Sequence, residues 1–139
     1  PILHVAQAEF GGWLSVPTMD YVASILGILP IEVYEVASFY SMFNLEPVGK
    51  YLIEVCQTSS CWLNGAEDIV RFIEKKLNIK NGETTEDGMF TIKTVECLGS
   101  CGTAPMLQLG ETYHENLTLE KVTDIIENCK TENKRSRYC

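Results

Sequence analysis

Six of the 139 residues are cysteine, and four of them fall in two close pairs. Cys56 and Cys61 stand in Val55-Cys56-Gln57-Thr58-Ser59-Ser60-Cys61-Trp62; Cys97 and Cys101 stand in Glu96-Cys97-Leu98-Gly99-Ser100-Cys101-Gly102. Four thiolates brought together suit an iron–sulfur cluster or a zinc ion. Structural zinc knuckles usually close a C-x2-C turn on the metal. The C-x4-C and C-x3-C loops here are longer, and Ser, Thr and Gly fill them. Such residues let backbone N–H groups approach an anionic centre. A [2Fe–2S] cluster on four thiolates carries about two negative charges when oxidised and more when reduced, and hydrogen bonds to its sulfurs set its potential. The spacing therefore leans towards iron, with Gly99, Ser100 and Gly102 as candidate N–H donors and zinc as the second reading. A thiol oxidoreductase would want C-x-x-C at a helix start, and C-x4-C holds its sulfurs too loosely for that.

Other reactive residues carry less. Cys129 falls on an apolar helical stripe, which points to core packing, and Cys139 is terminal. His4 and His114 lie outside both loops, so a Rieske centre with two His ligands does not fit. Trp62 follows a cysteine directly and could either shield a cluster or pack on its helix. Lys134, Arg135 and Arg137 could dock on an acidic partner, with a solvated tail as the plainer reading. G-x-G-x-x-G and other Gly-rich phosphate loops are absent, so this chain by itself is expected to bind neither NADH nor flavin.

Those loops need elements to hold them. The length fits one domain with a small appendage, and an apolar fraction of 45% supports a core. No apolar run reaches the roughly 20 residues that span a bilayer; the longest, Tyr21 to Val36, is broken by Pro30. No signal or transit peptide is visible, and the start at Pro1 rather than Met points to a processed, truncated or omitted N-terminus. A net charge of −8 argues against a nucleic-acid partner, while permitting docking on a basic protein surface. Local cysteine pairs in a chain of this size suit a metal better than a disulfide scaffold, and a reducing compartment follows.

Residues 2–46 read as helical. A first stripe from Ile2 to Phe10 stops at Gly11-Gly12. Thr18 is a candidate cap for a second helix ending at Leu26-Gly27. Pro30 fits the first turn of a third helix that carries Val33, Val36, Ala37 and Tyr40 on one face. Pro47-Val48-Gly49 marks the boundary to a β/α pattern. Lys50 to Val55 is a strand that delivers the first cysteine pair, and a helix runs from about Trp62 to Leu77. Phe90 to Val95 is a strand that delivers the second pair. Met106 to Leu109 and Thr112 to Glu115 form a hairpin about Gly110-Glu111. A last helix from Thr118 turns Leu119, Val122, Ile125, Ile126 and Cys129 inward, and the tail beyond it reads as irregular. The class is α/β (α+β), organised as a helical region 1–46, a β-α-β-β-β-α domain 47–130 resembling a shortened thioredoxin, and a tail 131–139. Both cysteine loops follow strand ends, where ligands gather in open α/β sheets, and the helix after Cys61 is expected to aim its N-terminus at the cluster.

Several stretches together resemble a known family: Gly12-Trp13-Leu14, the run Val33 to Phe43, Pro47-Val48-Gly49-Lys50-Tyr51, both cysteine loops, and above all Glu96-Cys97-Leu98-Gly99-Ser100-Cys101 followed by Ala104-Pro105-Met106. From about Leu3 to Ile126 the chain resembles the thioredoxin-like [2Fe–2S] subunit of respiratory complex I, NADH:quinone oxidoreductase. Related subunits serve NAD-linked hydrogenases and formate dehydrogenases. The resemblance implies a helical region on a thioredoxin-like ferredoxin fold, with one [2Fe–2S] cluster held by Cys56, Cys61, Cys97 and Cys101. It implies a flavoprotein partner that carries FMN and NADH, a neighbouring iron–sulfur subunit, and single-electron exchange with the partner's flavin. It also implies a place in the peripheral arm of a membrane complex, on the bacterial cytoplasmic or mitochondrial matrix face, without insertion of this chain. No acid–base or nucleophilic group is then needed, and the chain has no catalytic site of its own. A zinc-stapled assembly module is the reading to set against this. The family usually has more helical sequence before the point where this chain starts, and the tail Arg135 to Cys139 matches its C-terminal extension only loosely.

Overall fold

The computed structural model describes residues 1–136, which form two compact units, 1–50 and 51–136, each with its own core. In the first unit, α1 (Ile2–Glu9), α2 (Val16–Leu26) and α3 (Pro30–Phe39) follow one another. Leu3, Leu14, Met19, Val22, Val33 and Ala37 are buried among them. The cap of α2 differs from the sequence expectation: Ser15, not Thr18, is the N-cap, and its hydroxyl accepts from the Thr18 N–H at 3.2 Å. Thr18 sits three residues in, where a side-chain oxygen no longer meets the orphan donors of the first turn. Gly27 ends the helix with φ +67°, a left-handed conformation that glycine adopts without steric cost. Glu32 then accepts from the Leu29 N–H at 2.9 Å and so closes the start of α3.

The second unit is a four-stranded sheet in the order β2-β1-β3-β4. Its strands are β1 (Tyr51–Cys56), β2 (Phe90–Val95), β3 (Leu107–Leu109) and β4 (Thr112–His114). β1 and β2 are parallel, and the other neighbours are antiparallel. Alternation on β1 buries Ile53 and Val55. These pack with Phe90, Ile92, Leu107 and the apolar stripes of α5 (Ala66–Leu77) and α6 (Leu119–Ser136). Acidic Glu67 and Asp68 in the first turn of α5 and basic Lys75 and Lys76 in its last turn complement the helix dipole.

Three expectations change here. The single helix from Trp62 to Leu77 is two helices: α4 (Ser59–Leu63) contains Cys61, and α5 starts only at Ala66. Asn64-Gly65 makes the break, with Gly65 at φ +90°. The long helix therefore does not begin beside the cysteines. Leu119 is exposed rather than inward, because it opens α6 before the stripe Val122, Ile126 and Cys129 meets the sheet. The irregular tail expected from 131 is helical through Ser136, since Glu132, Lys134 and Arg135 are residues of high helix propensity. Residues 137–139, including Cys139, lie outside the described residues.

Candidate metal centre

Parallel pairing explains why the two loops meet. In the β1–β2 register Cys56 is opposite Val95, so both strands end at the same edge of the sheet. The chain leaves β1 into Gln57-Thr58 and α4, which carries Cys61; it leaves β2 through Glu96 directly into Cys97. Ser60, on α4, donates its hydroxyl to the Cys101 carbonyl at 2.9 Å and ties one loop to the other across 41 positions of sequence. A short 3-10 turn, Cys101–Thr103, follows, and the Ala104–Pro105 bond after it is cis.

The four sulfurs stand as two pairs. Cys97 Sγ and Cys101 Sγ are 3.7 Å apart, and the Cys56 and Cys61 thiols hydrogen-bond each other. Two thiolates on one tetrahedral metal at about 2.3 Å lie about 3.8 Å apart, so the measured separation is that of one edge of such a site. One zinc wants all four donors around itself, whereas a binuclear cluster takes them two and two. The donor set and its arrangement thus fit a [2Fe–2S] group, which when bound supplies reversible one-electron redox chemistry.

The pairs differ in their surroundings. Cys56 and Cys61 are only 2% and 1% exposed, while Cys97 and Cys101 are open to solvent. Within each pair one thiol is favoured as thiolate and the other donates to it. Burial pushes against ionisation of Cys56, but the Thr58 hydroxyl, the Thr58 and Leu98 N–H groups and the Cys61 thiol together hold it below the ordinary range. Cys97 is likewise lowered, first by the Gly99 N–H at 3.3 Å and then by the Thr58 hydroxyl and the Cys101 thiol. Burial and then the neighbouring Cys56 push the Cys61 thiol up to about 11. Cys101 is raised by its bond to Cys97. Metal binding takes up four thiolates and must therefore release protons from Cys61 and Cys101.

Of the candidate donors, Gly99 does reach a sulfur, and its φ of +80° is what turns its N–H back onto Cys97. The Ser100 side chain is engaged elsewhere, its hydroxyl donating to Glu115. Thr58 and Leu98 are sulfur donors that were not singled out in the sequence, although the small polar make-up of the first loop was the signal for such donors. Cys129 packs in the core as expected. His4 lies against Phe43 in the first unit, far along the chain from either loop. Trp62 is exposed on α4, so it does not pack in the core of its unit.

The model of the thioredoxin-like [2Fe-2S] ferredoxin family matches residues 1–130. The chain belongs to that family, and its cofactor is a [2Fe–2S] cluster. It is 53% identical over 127 residues to a subunit of the NADH-quinone oxidoreductase of Rickettsia felis, a match that covers 91% of this chain and 76% of that protein. It is 43% identical over 130 residues to the mitochondrial NADH dehydrogenase [ubiquinone] flavoprotein 2 of Dictyostelium discoideum, covering 94% of this chain and 53% of that protein. Among solved structures, an air-oxidised NAD+-reducing [NiFe]-hydrogenase contains the same fold, with a TM-score of 0.80 at 20% identity over 95% of this chain and 23% of that one.

Proposed function

We propose that this chain is the electron-transfer subunit of an NADH:quinone oxidoreductase, and that Cys56, Cys61, Cys97 and Cys101 hold its cluster. The observation that carries the ligand assignment is the pairing of the four sulfurs at one edge of the sheet, with N–H and hydroxyl donors aimed at them. The names of relatives at about half identity support the parent complex. The work of the chain's own residues is to hold four thiolates, supply hydrogen bonds from Thr58, Leu98 and Gly99, and leave one pair near the surface. Exposure of Cys97 and Cys101 brings that side within reach of a docked electron donor, which is the partner's reduced flavin in this reading.

The proposed division of labour gives residues 47–130 the cluster and residues 1–46 assembly with the flavoprotein and a neighbouring iron–sulfur subunit. Supporting it, Phe10, Tyr21, Leu29, Tyr34, Phe39 and Tyr40 all stand exposed on the first unit, Phe39 at 79%. Residues 1–49 contain no Lys or Arg, only the acids Glu9, Asp20, Glu32, Glu35 and Glu46. An apolar face with acidic surroundings suits a partner whose own apolar patch has a basic rim. No helix among the described residues is long and apolar enough to cross a membrane; the proposed place is the peripheral arm, on the cytoplasmic or matrix face.

The test is spectroscopic. Anaerobically purified chain should be red-brown and give a paramagnetic signal when reduced chemically, and NADH alone should not reduce it. Adding the flavoprotein partner should make NADH effective. Colourless protein carrying zinc would sink the cluster reading, and reduction by NADH without the partner would sink the division of labour between subunits.

A further inference from the structure

We propose that Glu115 is the positioning residue of the second cysteine loop, and that its carboxylate also sets the cluster potential. The proposal rests on the reading that Cys97 and Cys101 are ligands. Glu115 follows β4, and its Oε1 accepts from the Ser100 hydroxyl, next to Cys101, and from the Thr103 hydroxyl at 2.6 Å. Ser100 Oγ and Thr103 Oγ1 lie 2.7 Å from each other. A hydroxyl has one proton, so with both protons given to Glu115 the centre of this knot must be an acceptor-only group. The Glu115 carboxylate meets that need with a single oxygen, and the amide oxygen of a Gln there would meet it too.

The residues around Glu115 grip the same loop. Tyr113 donates its hydroxyl to the Leu98 carbonyl at 2.8 Å, and the Asn116 N–H donates to the Thr103 carbonyl at 2.7 Å. Leu98 and Thr103 bracket the segment that carries Gly99, Ser100 and Cys101. The β3–β4 hairpin therefore fixes at three points a loop that has few apolar anchors of its own. No Lys or Arg among the described residues pairs with Glu115, and bonds from Ser100 and Thr103 keep its carboxyl below the usual range. Ser100, which Glu115 holds, directly precedes Cys101, so the carboxylate places a negative charge one residue from a proposed ligand of a group that gains negative charge on reduction, and a charge there opposes that reduction.

Glu115→Ala, Glu115→Gln and Cys101→Ala separate these roles. For each protein, bleaching by an iron chelator and the midpoint potential are measured on the holo chain. Glu115→Ala leaves both hydroxyls without their charged acceptor and should lose its cluster about tenfold faster than wild type, the scale of one hydrogen bond to a charged group. Glu115→Gln keeps an oxygen for both hydroxyls and should bleach within about threefold of wild type. Its potential should nonetheless rise, because the charge is gone. Glu115→Gln bleaching as fast as Glu115→Ala would overturn the positioning role, and an unchanged potential would overturn the electrostatic one. Cys101→Ala that keeps a normal cluster would instead bring down the ligand reading beneath both.

Discussion

At the scale of single residues, the chemistry rests on sulfur and on the protons aimed at it. Each iron of a [2Fe–2S] group needs tetrahedral sulfur ligation, so replacing any one of Cys56, Cys61, Cys97 or Cys101 by Ala should weaken or abolish cluster binding, read as iron and visible absorbance per chain. Cys129→Ala should keep full colour and lower stability by about 1–2 kcal/mol in chemical unfolding, the cost of a small cavity in the core. Thr58 stands between the pairs, with its Oγ1 3.4 Å from Cys56 Sγ. Hydrogen bonds to the sulfurs favour the more negative, reduced state. Thr58→Val should therefore move the midpoint potential more negative in a redox titration, and a potential equal to that of wild type would refute the role. Gly99 has open space where a Cβ would go, yet its φ is +80°. A Val there pays about 1–2 kcal/mol of left-handed strain and should either misdirect the N–H to Cys97 or loosen the cluster.

At the scale of elements, the parallel pair β1–β2 decides where the chemistry is. β1 is central and carries Glu54, opposite Lys93 of β2. Burial raises the Glu54 carboxyl, and Lys93 only partly offsets it. A folded-state value above the unfolded one means that the fold prefers this group protonated. The penalty is absent below the unfolded value, grows as pH rises through the raised range, and is complete above it. Glu54→Gln should accordingly raise the urea midpoint at pH 7, with the gain shrinking as pH falls into the carboxylate range. Equal gains at both ends of that range would show that something other than charge burial is responsible.

For the whole molecule, one unit offers sulfur and the other offers apolar surface. Leu29 and Phe39 are exposed on the first unit, remote in sequence from the cysteines. Leu29→Ser and Phe39→Ser should each lower affinity for the proposed flavoprotein partner by about tenfold or more, as loss of an interface anchor does, with the visible spectrum unchanged. Binding measured by interferometry on the holo chain checks this, and affinity within error of wild type for both would remove the assembly role of α2 and α3.

Much was legible in the sequence because it is local. Period 3.6 and period 2 marked the helices and strands, Gly27 and Pro30 punctuated them, and the four cysteines announced a metal through type and spacing alone. The resemblance of the Cys97 loop and Ala104-Pro105-Met106 led to the family. What needed the tertiary structure was everything that depends on positions far apart in the chain. The break at Asn64-Gly65 was hidden because the apolar stripe Ala66, Ile69, Val70 and Ile73 begins only after it, so the spacing did not mark where the long helix starts. The four equal thiols sort into a buried pair, at the end of the central strand β1 and on α4, and an exposed pair in the loop after the edge strand β2, and spacing does not encode which strand is central. Glu115 looked like one more surface acid among 19 acidic residues. Only when the β3–β4 hairpin folds back along residues 98–103 do its two hydroxyl partners arrive, because a hydrogen bond is made by distance in space and the sequence records distance along the chain.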